Sequence, residues 1–252
     1  MRLGIEVIEK YFLWLVFYSV VGWIYETILC SVQERRFVNR GFLNGPYCPI
    51  YGFGALLDIL ILGRIDNPIY LFFLGAIITC TLEYLTSYFM EKLFNARWWD
   101  YSEWKFNIGG RVCLAGGLVF GLFSVLLIKI IHPFICKYTN FLPEYILHIA
   151  AALIFTAFVI DAFITIKEFA GFDKKLKEAA AIIKESKNRI ANKIHSIESV
   201  QQISSVYENV FLMLNKQQQR MLKAFPRLKS KNYNSIIKEI RELIYRRRKK
   251  QH

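Results

Sequence analysis

The strongest constraint on this chain is a set of apolar stretches long enough to cross a bilayer as single helices. Tyr11–Cys30, Ile69–Met90, Val112–Ile131 and Tyr145–Ile166 are each about 20 residues long with few charges, the length that spans a hydrocarbon core of about 30 Å. Inside lipid, backbone N–H and C=O groups must pair within the protein, and a helix pairs them within its own segment. A fifth stretch, Tyr47–Leu62, is shorter. It is read as a span because four crossings would leave charged loops on the wrong sides. The expected fold class is all-α: a polytopic membrane protein of about five transmembrane helices, followed by a helical cytosolic tail.

Charge divides the chain near Lys167. Residues 1–166 hold 12 Lys/Arg and 12 Asp/Glu, so residues 167–252 carry the whole net charge of +13. The expected domains are therefore 1–166 in the membrane and 167–252 as a basic amphipathic tail. Lys/Arg-rich short loops stay in the cytosol. "QERRFVNR" carries Arg35, Arg36 and Arg40, and residues 91–111 carry Lys92, Arg97, Lys105 and Arg111. Placing both loops and the tail inside gives an outside N-terminus and a cytosolic C-terminus in the cell membrane.

The fifth stretch opens on "GPYCPIYG" (Gly45–Gly52), and "GRVCLAGG" (Gly110–Gly117) has the same G-x-x-C-x-x-x-G spacing. Each motif follows a span with one acid, Glu26 or Glu83, and an asparagine, Asn44 or Asn107, precedes each. This reads as a tandem two-helix repeat whose units enter the membrane the same way round. Glycine lets a neighbouring backbone approach closely, and proline is tolerated in a helix's first turn, where its missing N–H costs little. Backbone N–H groups at such helix starts attract anions. Glu26, Asn44, Gly45, Glu83, Asn107, Gly110 and Arg111 are therefore the expected lining of a polar pocket near the inner leaflet. Glu26, Asp58, Glu83 and Asp161 lie within apolar spans, where each acid needs a partner, a proton or water. Structural ion pairing and tight helix packing without a ligand account for the same residues.

The loop "RWWDYSEW" holds Trp98, Trp99, Asp100 and Tyr101, and its indoles suit the headgroup level. Beyond Lys167, Leu176, Ile183, Ile190, Ile197 and Phe211 recur at sevens, with Ile194, Val200, Ile203 and Val210 beside them. They read as a long amphipathic, coiled-coil-like helix that Pro226 ends. It can pair with itself, fold back or lie along the membrane. A second helix with a polybasic end follows, suited to anionic lipid. Few aromatics interleave its charges, which argues against nucleic acid.

The five cysteines show no zinc spacing, His132 and His148 lack Cys or carboxylate partners at metal spacing, and no nucleotide fingerprint occurs. No metal and no cofactor is expected, and the sequence assigns no catalytic residue.

The segments "NGPYCPIYGFGALL" and "RWWDYSEWKFNIGGRVCL" resemble the bacterial CmpB-like ABC-transporter type IV family over roughly residues 11–135. The likeness implies a multi-pass membrane protein with a permease label, but no assigned site residues. Besides the bilayer, a separate ATPase subunit and a second copy of the chain are the expected partners. A membrane-embedded enzyme acting on lipid or polyprenyl substrates, and a non-enzymatic sensor or scaffold using the polybasic tail, are the alternatives.

Overall fold

The computed structural model describes residues 2–191 and 197–249, with side-chain surroundings for residues 4–188 and 205–242. The elements run α1 (Arg2–Glu34), α2 (Pro49–Leu62), α3 (Pro68–Phe94), β1 (Ala96–Arg97), β2 (Asn107–Ile108), β3 (Val112–Cys113) and α4 (Leu114–Leu126). A π-turn (Leu127–Ile131) leads into α5 (His132–Asn140). Then come α6 (Glu144–Ala170), α7 (Phe172–Ala191), α8 (Ile197–Met213), α9 (Lys216–Ala224), β4 (Lys229–Ser230) and α10 (Asn234–Lys249). Two compact units result. One joins Met1–Tyr88 to Tyr101–Ile164, the other Phe89–Asp100 to Thr165–His252.

Four helical stretches are long and apolar enough to cross a membrane: Gly4–Glu34, Pro68–Phe94, Leu114–Asn140 and the one beginning at Glu144; α2 is a shorter apolar helix. Leu153, Ile160 and Phe163 of α6 are 67%, 54% and 67% exposed. A helix that is apolar on its outward face needs an apolar surround. The protein is an all-α polytopic membrane protein.

The third of these stretches does not end at Ile131 as the sequence suggests, but continues to Asn140. Pro133 lacks an N–H and crowds the carbonyl one turn back, which normally breaks a helix. Here His132 N–H bonds to Leu127 O across a widened turn just before the proline. Such a turn absorbs the disruption without ending the helix.

In the first unit α1 packs on α2. Gly52 makes the contact possible: a Cβ there would lie 2.2 Å from Leu15 O and 2.3 Å from Ser19 Oγ. Pro49 opens α2 at its first turn, where a helix has no use for the missing N–H. Cys48 N–H donates to Ser19 O at 2.9 Å, tying the entry of α2 to α1.

The second unit has its own core. Phe94, Trp98, Phe169 and Phe172 form a chain of ring contacts with centroids 4.7–5.4 Å apart. Strand β1 pairs antiparallel with β4, Ala96 opposite Ser230 and Arg97 opposite Lys229. The stretch expected as a single long tail helix holds three, α7, α8 and α9; α7 and α8 pack on each other, and α10 packs on all three. Lys175 Nζ, early in α7, donates to Met213 O at the end of α8, so the pair runs antiparallel. Leu176 and Ile183 are buried as the spacing predicts, but among the described residues of α8 the buried positions are Tyr207 and Val210 rather than Phe211, with Leu214 buried just beyond its end. Ile190, Ile194, Ile197, Val200 and Ile203 lie outside the residues whose side chains are described.

A capping box starts α9: Asn215 Oδ1 accepts from Gln218 N–H, and Gln218 Oε1 accepts from Asn215 N–H. Asn215 Nδ2 also donates to Glu168 O at 2.9 Å. Asn215→Ala is expected to cost the second unit about 1 kcal/mol. Faster hydrogen exchange in residues 216–224 would register it, and unchanged exchange would show that the cap contributes nothing.

Candidate functional site: a carboxylate and phenol cluster

Two acids on separate spans are each held by a tyrosine. Glu26 of α1 accepts from Tyr51 OH at 2.6 Å and lies 3.4 Å from Arg40 Nε. A small residue at position 22 admits the tyrosine, since a Cβ on Gly22 would overlap the Tyr51 ring at 2.2 Å. The loop after α1 is turned back to deliver Arg40. Val38 N–H donates to Ser31 Oγ at 2.9 Å, and Trp23 Nε1 donates to Asn39 Oδ1 at 2.7 Å.

Glu83 of α3 is buried and accepts from Tyr101 OH at 3.2 Å. The β2–β3 hairpin positions that phenol. Gly110 takes a left-handed φ of 67°, and its carbonyl accepts from Tyr101 N–H at 2.8 Å. Asn107 braces the same hairpin, donating to Trp104 O and accepting from Gly110 N–H. Arg111 donates to Ser87 Oγ at 3.1 Å, and its guanidinium sits over the Tyr84 and Tyr88 rings, 5.6 and 5.5 Å from their centroids.

The two acids meet electrostatically at Tyr101. Burial pushes its phenol well above the usual range, and the charges of Glu83 and then Glu26 push it further. At the bilayer centre an uncompensated acid costs about 2.5–3.5 kcal/mol on insertion scales. Phenol donors and Arg40 offset part of that cost. A proton or a cation entering this cluster would meet two carboxylates whose donors can rotate away.

Of the residues expected to line one pocket, Glu26 and Glu83 act on one phenol, with Arg111 on the hairpin that presents it. Asn44 and Gly45 serve another acid. Asp161 of α6 accepts from Asn44 N–H (3.0 Å), Asn44 Nδ2 (3.0 Å), Gly45 N–H (2.7 Å) and Tyr47 OH (2.6 Å). The anion drawn to the first glycine motif is thus the protein's own. Burial, followed by the Asp161 contact, raises the Tyr47 phenol. Asp161→Ala is expected to loosen residues 44–47 by about 1–2 kcal/mol, discounted for partial exposure. Labelling of the buried Cys48 by a permeant maleimide should then accelerate about tenfold, and an unchanged rate would show the loop is held otherwise.

The tryptophan loop divides. Trp98 is buried in the second unit's aromatic core and not set out as a belt residue. Asp100, also buried, bonds Lys229 and lies 3.7 Å from Arg97, whereas Tyr101 belongs to the carboxylate cluster. His132 and His148 do have partners, and Cys136 lies one helical turn beyond His132. His148 Nδ1 meets Glu9 Oε2 at 2.5 Å, and His132 meets Tyr18 OH at 3.0 Å and Cys136 Sγ at 3.3 Å.

Sequence reasoning missed Tyr51, Tyr101's bond to Glu83, and Arg40. No local signal marked them: Tyr51 is 25 residues from Glu26 and Tyr101 is 18 from Glu83.

The family described as "Putative ABC-transporter type IV" matches residues 13–166. The chain belongs to it. The match covers more than half of the 252 residues. It takes in every residue of the carboxylate cluster and ends before the second unit's helical tail. No curated protein and no solved structure matches the chain.

Proposed function

We propose that the chain is the membrane subunit of a permease-type transporter that works with a separate ATP-hydrolysing subunit. Glu26, Tyr51, Glu83 and Tyr101 form the polar step along its path. The observation that carries this reading is a pair of intramembrane acids, Glu26 held by Tyr51 and Arg40 and Glu83 held by the half-buried Tyr101, within a family named for ABC transport. Intramembrane acids are retained chiefly where ions, protons or substrates pass. The Lys/Arg balance of the short loops supports an outside N-terminus and a cytosolic C-terminus. That sidedness puts the basic tail where an ATPase would dock.

Affinity purification of the full chain from its native membranes in mild detergent, after mild crosslinking, tests this. The expected result is an ATP-hydrolysing protein in the eluate, retained by the Glu83→Gln variant, since that residue serves the path and not the docking. A chain that elutes without any ATPase, crosslinked or not, overturns the proposal.

A further inference from the structure

Asp58 takes no part in the carboxylate cluster. It lies in the middle of α2 and is only 2% exposed. Its helix neighbours Ala55 and Ile59 pack into an apolar cluster with Trp14, Tyr18 and Leu127. Leu62 and Ile59 pack into another with Leu71 and Ile128. The carboxyl therefore sits where an ionised group is most costly.

Among the described residues no cation is paired with it. The ionisable groups on the elements packed against α2 are engaged elsewhere: Tyr18 with His132, Glu26 with Tyr51 and Arg40, and Lys129 with Asp66. On α3, Glu83 bonds Tyr101, and the position lying against Ser124 is Gly75, which has no side chain. Asp58 Oδ1 is buried without a hydrogen-bond partner among the described residues.

The Ser124 hydroxyl of α4 lies beside the carboxyl. It also reaches Phe120 O, at 3.0 Å along its own helix, so its single hydrogen has two acceptors within reach. The carboxyl is left short of donors, with Oδ1 unpartnered among the described residues, and a bound proton removes the charge that burial penalises.

We propose that Asp58, set against Ser124, is a proton-binding site within the helical core, distinct from the Glu26 and Glu83 cluster. The ligand is a proton, and the site holds it in an apolar surround that excludes larger charged species. This assignment rests on α2 and its neighbours alone and stands whether or not an ATPase partner exists.

Dicyclohexylcarbodiimide tests it on the full chain in vesicles. The carboxyl proton passes to a carbodiimide nitrogen while a carboxyl oxygen bonds to the central carbon. The O-acylisourea so formed rearranges by an oxygen-to-nitrogen acyl shift to a stable N-acylurea, with no atom lost. Peptide mass spectrometry is expected to find this adduct on Asp58 at a pH of about 6, with a yield that falls at least about tenfold by a pH of about 10. Asp58→Asn removes it, and replacing choline by sodium in the buffer leaves it unchanged. Three results overturn the proposal: an Asp58 peptide recovered unmodified at every pH, a yield that stays flat across the range, or protection by sodium, which would make the site one for a metal cation. Because the mapping is made on the unsubstituted protein, it does not depend on any variant inserting correctly.

Discussion

Leucine in place of Gly52 is expected to drive α1 and α2 apart and to lower the protein's thermal midpoint in detergent by about 10 °C. A single methyl at this position already lies 2.2 Å from the Leu15 carbonyl oxygen, and that atom is helix backbone, which cannot rotate aside. Overpacking a core costs about 1–3 kcal/mol for a few extra methylenes, and a leucine pressed against backbone belongs at the upper end. Two polar contacts are lost with the helix contact, Cys48 N–H to Ser19 O and Tyr51 OH to Glu26. Gly54→Ala provides the contrast. Its Cβ would meet Leu82 and Thr79 at 3.6 and 3.8 Å, ordinary contact distances, so its midpoint should barely move. Size-exclusion chromatography after stepwise heating reads both. Equal midpoints for the two variants would show that α1 and α2 do not pack in this register.

Phe169→Ala should unfold much of the second unit's aromatic core. The ring is fully buried and touches Phe94, Trp98 and Phe172. Truncating a buried phenylalanine costs about 3–5 kcal/mol, through lost transfer energy and the cavity left behind. A small helical unit has little more than that to lose. Hydrogen exchange should rise sharply in residues 96–98, α7 and α9, while peptides from α1 and α2 keep their protection. An increase confined to residues next to position 169 would mean the cluster does not organise the unit.

The spans were legible because hydrophobic length is a local property. The starts of α2 and α4 were legible too, since proline and glycine punctuate a chain wherever they fall. Gly52 illustrates the limit: its spacing suggested a close approach, but the partner carbonyl belongs to Leu15, on another helix. The acids were found for the same local reason, as charges inside apolar runs. Their partners were not, because Tyr51 reaches Glu26 and Tyr101 reaches Glu83 only after helices pack and a hairpin turns. Asn44 and Gly45 were placed in one pocket with Glu26 and Glu83, and their bond to Asp161 escaped notice on the same account; Asp161 is 117 residues from Asn44 along the chain. The tail's seam was read along one helix, and periodicity does not register that α7 and α8 run antiparallel. The β1 and β4 bridge involves two residues on each side, too few to produce an alternating pattern.

That bridge also sets an order of events at the ribosome. Ala96 and Arg97 are synthesised about 130 residues before Ser230 and Lys229, their partners. At roughly 5–20 residues per second, Trp98 and Phe94 wait many seconds for the helices that enclose them. A nascent chain halted before residue 229 therefore leaves the backbone of Ala96 and Arg97 without its strand partner, open to the chaperones and proteases that patrol unfinished membrane proteins. Damage at the far end of the gene would be felt first in a segment translated long before it.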